Sequence, residues 1–66
     1  MNWTRLSKIA QKVGEEAVET VIAALSETET DFINESSDLL FHLWVLLREK
    51  DIPLEKIAKN LESRHR

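Results

Sequence analysis

The stretch Leu39-Leu40-Phe41-His42-Leu43-Trp44-Val45-Leu46-Leu47 decides the fold. It lies in a segment from about Glu29 to Lys50 that contains neither glycine nor proline, and that length favours a helix over a strand. Around a helical turn these residues leave no polar side, and a helix that is apolar all round has to be covered all round. One neighbouring helix and a short third one cannot do that. A second copy of the chain is the simplest cover.

Upstream, Leu6, Ile9, Ala10, Val13, Ala17, Val21 and Ala24 share one face at helical spacing and predict an amphipathic helix from about Trp3 to Leu25. Val18, Ile22 and Leu25 lie off that stripe, so this helix is expected to touch two neighbours towards its C-terminal end. Gly14 inside it costs about 1 kcal/mol against alanine, which points to a packing or ligand reason for the missing side chain, packing first. Ser26 to Thr30 reads as a short connection, with Thr28 and Asp31 spaced as a capping box that starts the second helix. Downstream, Asp51, Ile52 and Pro53 end that helix and begin a third, with Pro53 close to the first helical position. Leu54, Ile57, Ala58 and Leu61 mark its apolar face, and Ser63 to Arg66 are expected to fray. The expected class is all-α: a helical hairpin plus a short C-terminal helix, assembling into a multi-chain helical bundle.

Composition narrows the function. The chain has 66 residues, 42% apolar and 32% charged, with a net charge of -3 and no cysteine. Disulfides, thiolate zinc sites and cysteine nucleophiles are excluded at once. The acidic balance argues against nucleic acid or an anionic membrane as partner. No apolar run reaches 18 residues and no basic-then-apolar leader opens the chain, so the expectation is a cytoplasmic protein. A domain near this size buries only about 60% of the surface its unfolded chain exposes, so oligomerisation or a metal is expected to support it.

The acids are placed unevenly. Between Lys12 and Arg48 there is no lysine or arginine, yet Glu15, Glu16, Glu19, Glu27, Glu29, Asp31, Glu35 and Asp38 all fall there. Glu16 with Glu19, and Glu35 with Asp38, are i, i+3 pairs that face one another if the two long helices are antiparallel neighbours. Converging carboxylates repel unless they hold a hard cation, and all-oxygen ligation suits Mg2+ or Mn2+ rather than zinc. The plainer reading makes them surface glutamates supported by contacts such as Lys12 with Glu16. Asp38 weighs against it, since an apolar run follows directly and Asp is rarely buried without a partner. A di-iron bundle needs repeated Glu-x-x-His motifs, and the one such spacing, Glu62 with His65, falls in the tail.

The strings Lys12-Val13-Gly14-Glu15-Glu16-Ala17-Val18-Glu19 and Glu35-Ser36-Ser37-Asp38-Leu39-Leu40-Phe41-His42 resemble the phosphoribosyl-ATP pyrophosphohydrolases, a branch of the MazG-like all-α pyrophosphohydrolase superfamily. The superfamily pattern is E-E-x-x-E, a spacer, then E-x-x-D, and the resemblance runs over about residues 5 to 64. It implies a single domain over residues 1–66, without the family's usual N-terminal helix. It also implies Mg2+-dependent hydrolysis of phosphoribosyl-ATP to phosphoribosyl-AMP and pyrophosphate, the second step of histidine biosynthesis. By position Glu16, Glu19, Glu35 and Asp38 become metal ligands, and Glu15 holds or deprotonates the attacking water. Lys12 becomes a phosphate contact, its alternative being a surface salt bridge. His42 becomes a substrate contact or the orienter of a ligating carboxylate, its alternative a hydrogen-bonded structural histidine. Trp44 reads as interface core, and Arg48 as a helix C-terminal cation. Two other functions stay open at this point: a house-cleaning nucleoside triphosphate pyrophosphohydrolase, and a non-catalytic helical dimerisation module.

Overall fold

The structure, a computed structural model, describes residues 3–65. Three helices follow in order: α1 (Trp3–Ser26), α2 (Glu29–Glu49) and α3 (Leu54–Arg64). The all-α hairpin with a short C-terminal helix is therefore as expected from the hydrophobic period. The first and second helices are antiparallel: Arg5 pairs with Glu49 at one end, 3.4 Å, and Thr20 meets Glu35 towards the other.

The connection between them is tighter than the Ser26–Thr30 loop expected from composition. Ser26 is still helical, its hydroxyl donating to the Ile22 carbonyl, and α2 has already begun at Glu29, leaving Glu27 and Thr28 outside both helices. Thr28 is the N-cap: it is extended (φ -75°, ψ 163°), and its Oγ1 accepts the Asp31 N–H at 3.2 Å. Glu29 and Asp31 in the first turn complement the helix dipole, as Arg48 does in the last.

The end of α2 is a Schellman motif. Asp51 N–H donates to the Arg48 carbonyl at 3.0 Å, and Ile52 N–H reaches back to Leu47 at 2.9 Å. That geometry requires a left-handed residue, and Asp51 takes it at φ 57°. Pro53 follows as the N-cap of α3, one position ahead of the first helical residue, and its carbonyl accepts the Lys56 N–H. The third helix continues through Ser63 and Arg64, further than the expected fraying allowed, with Ser63 bonded back to the Asn60 carbonyl; Arg66 lies outside the described residues.

The face that α1 turns to α2 is rotated from the apolar stripe. Leu6, Ile9, Val13 and Ala17 are half-buried as expected, but Ala10, Val21 and Ala24 are exposed, while Glu16 and Ala23 are buried and Thr20 half-buried. The reason is steric. Two helices approach closely where side chains are small, so Ala17, Thr20 and Ala23 take the seam and the branched Val18, Val21, Ile22 and Leu25 are left on other faces. Gly14 does not serve packing among the described residues, since a Cβ there would meet nothing within 4 Å.

Little of the apolar surface is covered. Leu40, Phe41 and Trp44 of α2 are 67%, 56% and 44% exposed, and Leu54, Ile57 and Leu61 of α3 face solvent. The radius of gyration is 13.7 Å, whereas a compact 66-residue domain has about 11 Å. Among the described residues the packing of α1 on α2 is the one extensive helix contact.

Two substitutions test these termini by denaturant unfolding. Thr28→Ala is expected to cost about 1 kcal/mol by removing the N-cap acceptor. Asp51→Gly is expected to stabilise by up to about 1 kcal/mol, because glycine adopts the left-handed conformation without a Cβ penalty.

Candidate metal centre

Glu16, on the seam side of α1, is the one buried charged side chain among the described residues, with 7% of its surface accessible. It meets Glu35 and Asp38, which lie one turn apart near the start of α2. Each of the three offers a carboxylate oxygen, and these oxygens all lie within 4.8 Å of one another. Burial falls across the group, from buried Glu16 through half-buried Glu35 to exposed Asp38. Asp38 thus reaches solvent, unlike the expectation drawn from the apolar run that follows it.

The hydrogen bonding is incomplete where it matters. Glu16 Oε1 has Lys12 Nζ at 3.5 Å and His42 Nε2 at 4.0 Å. Glu16 Oε2 and Glu35 Oε2 are buried with no hydrogen-bond partner. An unsatisfied buried acceptor costs about 1–3 kcal/mol, and more when it carries charge. Two ionised carboxylates at that separation add repulsion of about 3 kcal/mol at an effective dielectric near 20, less where solvent screens Asp38. Lys12 cannot offset this: its amine is half exposed and is shared with Glu15 at 3.7 Å. Three carboxylates with two unpaired oxygens match the donor set of a hard divalent cation, so the residues fit Mg2+ or Mn2+.

The remaining candidates surround this group. Glu19, exposed, stands outside the three-carboxylate set and lines a surface depression with Ile22, Glu27 and Glu35. Glu15 is exposed, accepts a hydrogen bond from Gln11 Nε2 at 3.0 Å and pairs with Lys12. Lys12 pairs with exposed Glu15 and buried Glu16, and with Lys8, Ile9, Phe41, His42 and Val45 it borders an apolar groove one turn from the carboxylates. His42 meets the edge of the Phe41 ring, 5.4 Å between centroids, and its distance to Glu16 is too long for a hydrogen bond. Arg48 stacks over Trp44 at 5.3 Å. One residue at this site had no signal in the spacing of acids: Thr20, whose Oγ1 lies 2.7 Å from the Glu16 carbonyl and 3.1 Å from the Glu35 carbonyl. Its position four residues after Glu16 is visible in sequence, but the approach of α2 is not.

Glu16→Gln should raise metal-free stability, since an amide of the same shape removes the repulsion from Glu35 and loses only a half-exposed ion pair. Thermal unfolding in chelator checks this.

The residues also carry a relationship to known proteins. The chain matches the phosphoribosyl-ATP pyrophosphohydrolase family over residues 1–65. It is 57% identical over 58 residues to the phosphoribosyl-ATP pyrophosphatase of Sphingopyxis alaskensis, covering 88% of this chain and 53% of that protein. It is 50% identical over 64 residues to the phosphoribosyl-ATP pyrophosphatase of Novosphingobium aromaticivorans, 97% of this chain and 60% of that one. The histidine biosynthesis bifunctional protein HisIE of Buchnera aphidicola is 50% identical over 58 residues, 88% of this chain and 27% of the longer protein. The chain thus spans between about a quarter and three-fifths of the length of these curated relatives. With the family matched along almost the whole chain, and the carboxylates of its two acidic motifs meeting across one helix pair, the chain belongs to the phosphoribosyl-ATP pyrophosphohydrolase family.

Proposed function

We propose that this chain carries the catalytic domain for hydrolysis of phosphoribosyl-ATP to phosphoribosyl-AMP and pyrophosphate, the second step of histidine biosynthesis, with Mg2+ as cofactor and Mn2+ as a substitute. The observation that carries the reading is the meeting of Glu16, Glu35 and Asp38 within 4.8 Å, with two buried carboxylate oxygens unpaired. The relatives named phosphoribosyl-ATP pyrophosphatase supply the substrate. Glu16, Glu35 and Asp38 hold the cation, and Glu19, one turn from Glu16 and beside Glu35, completes the set from the rim. A bound divalent cation neutralises the triphosphate and stabilises departing pyrophosphate.

The chain's own groups then have separate tasks. Glu15 takes the proton of the attacking water, whose oxygen bonds to phosphorus as the anhydride bond breaks and pyrophosphate leaves. Lys12, already bridging Glu15 and Glu16, turns its amine to a phosphate oxygen. His42 lies close enough to Glu16 to bias the carboxylate's orientation or meet the substrate.

A homo-oligomer belongs to this reading. The accessible surface is 5472 Å², about 1,100 Å² above what a compact chain of 7.7 kDa exposes. That excess is comparable with the roughly 800 Å² each partner buries in an interface of standard size. The exposed Leu40, Phe41 and Trp44 are the surface a second copy covers. No helix among the described residues is long and apolar enough to cross a membrane, and a biosynthetic role on a small metabolite fits the cytoplasm.

Pyrophosphate release from phosphoribosyl-ATP and from ordinary nucleoside triphosphates, with Mg2+ and then with chelator, tests the activity. Chelator-sensitive release from phosphoribosyl-ATP alone is expected; turnover of the ordinary triphosphates moves the chain to house-cleaning chemistry, and no turnover leaves a helical association module. Asp38→Ala or Glu19→Ala should abolish Mg2+-dependent turnover, exceeding the roughly 10–100-fold loss typical of groups that only support a metal ligand. Near wild-type activity in either variant removes that residue from the ligand set. Mg2+ is also expected to raise the melting temperature of the wild-type chain by linkage.

A further inference from the structure

We infer that Thr20 is a positioning residue whose single hydroxyl clamps the backbones of Glu16 and Glu35 together and so sets the spacing of the two buried carboxylates for a divalent cation. The inference rests on the cation-site reading above and adds a residue outside the acidic motifs.

The two acceptors are the argument. Thr20 Oγ1 lies 2.7 Å from the Glu16 carbonyl and 3.1 Å from the Glu35 carbonyl. A threonine hydroxyl has one proton, so contact with two carbonyl oxygens is a three-centre hydrogen bond shared between α1 and α2. The bond to Glu16 is the ordinary back-bond of a helical threonine to residue i−4. The bond to Glu35 exists only because the second helix comes this close. Small side chains permit the approach, since Ala23 in the next turn is 1% exposed and Ala17 is half-buried. Glu16 and Glu35 are also the two residues whose Oε2 atoms are buried and unpaired. One hydroxyl therefore holds the main chain of both residues whose side chains repel each other.

Repulsion between Glu16 and Glu35 pushes the helices apart at this level, and the Arg5–Glu49 ion pair that also joins the two helices lies at the far end of the hairpin. Thr20 resists that separation where it acts. Its contribution is largest before the cation binds, when Lys12 and His42 beside Glu16 are the nearby groups that offset the repulsion, and it appears as affinity for the ion rather than as rate.

Thr20→Val tests this, because valine keeps the shape and the β-branched helix propensity and removes only the hydroxyl. Mn2+ binding by calorimetry and electron paramagnetic resonance is measured on the full chain, with metal-free melting recorded alongside. Affinity is expected to fall roughly tenfold, in the range seen when a group supporting a metal ligand is removed, and Thr20→Ser to restore it to within about threefold. Thr28→Ala, which deletes one side chain to backbone bond at the interhelical connection, is the control for stability alone and is expected to keep wild-type affinity. Equal affinity in Thr20→Val and wild type overturns the inference, as does an equal loss in Thr28→Ala. Should Thr20→Val lose helicity, Thr20→Ala, with the higher helix propensity, carries the same comparison against Thr20→Ser. A wild-type chain that binds no Mn2+ overturns the cation-site reading and this inference together, whereas wild-type binding with an indifferent Thr20→Val overturns this inference alone.

Discussion

The carboxylate of Glu16, held in the seam between two antiparallel helices, is the constraint on which the rest of the structure depends. A buried charge needs compensation, and an apolar neighbour in its place would pack the hairpin at lower cost. The chain instead surrounds Glu16 with Glu35 and Asp38 on one side and with Lys12 and His42 on the other. The acids outnumber the available cation. An arrangement that is poor for stability and well suited to a divalent ion is what the proposed metal-dependent hydrolysis requires.

The same choice shapes the packing. Glu16, Thr20 and Ala23 occupy the seam in the C-terminal half of α1, and the apolar surface of Val18, Val21, Ile22 and Leu25 is directed elsewhere. The second helix carries a matching excess in Leu40, Phe41 and Trp44. The hairpin sets a carboxylate and a hydroxyl among half-buried Leu6, Ile9, Val13 and Ala17 and leaves large apolar residues on its flanks. The extended shape matches this, with α1 on α2 as the one extensive helix contact among the described residues.

The local rules operate fully at the ends of the helices. Thr28 caps α2, Asp51 accepts a left-handed conformation to close it, and Pro53 starts α3 where a missing N–H is harmless. These short-range devices fix where the chain turns, while the charge at the seam fixes what the turned helices face.

The residues alone determined a good deal: the helical class, the three helices nearly to their ends, and the acidic pairs on two adjacent helices that point to a hard cation. All of these follow from interactions over three or four residues, which repeat with the helical period and can be read in one dimension. The rotation of α1 about its own axis was different. The apolar stripe placed Ala10, Val21 and Ala24 in the seam, and the close approach of two backbones put Glu16, Thr20 and Ala23 there instead. Gly14 likewise leaves room for a Cβ that would meet nothing among the described residues, although its cost to the helix is plain in the sequence. The grouping of Glu16 with Glu35 and Asp38, the position of Glu19 at the rim, and the hydroxyl of Thr20 against two carbonyls were all decided by tertiary structure. Periodicity tells which residues share a side of a helix, but the depth at which a second helix sits against that side depends on side-chain volume across the whole seam.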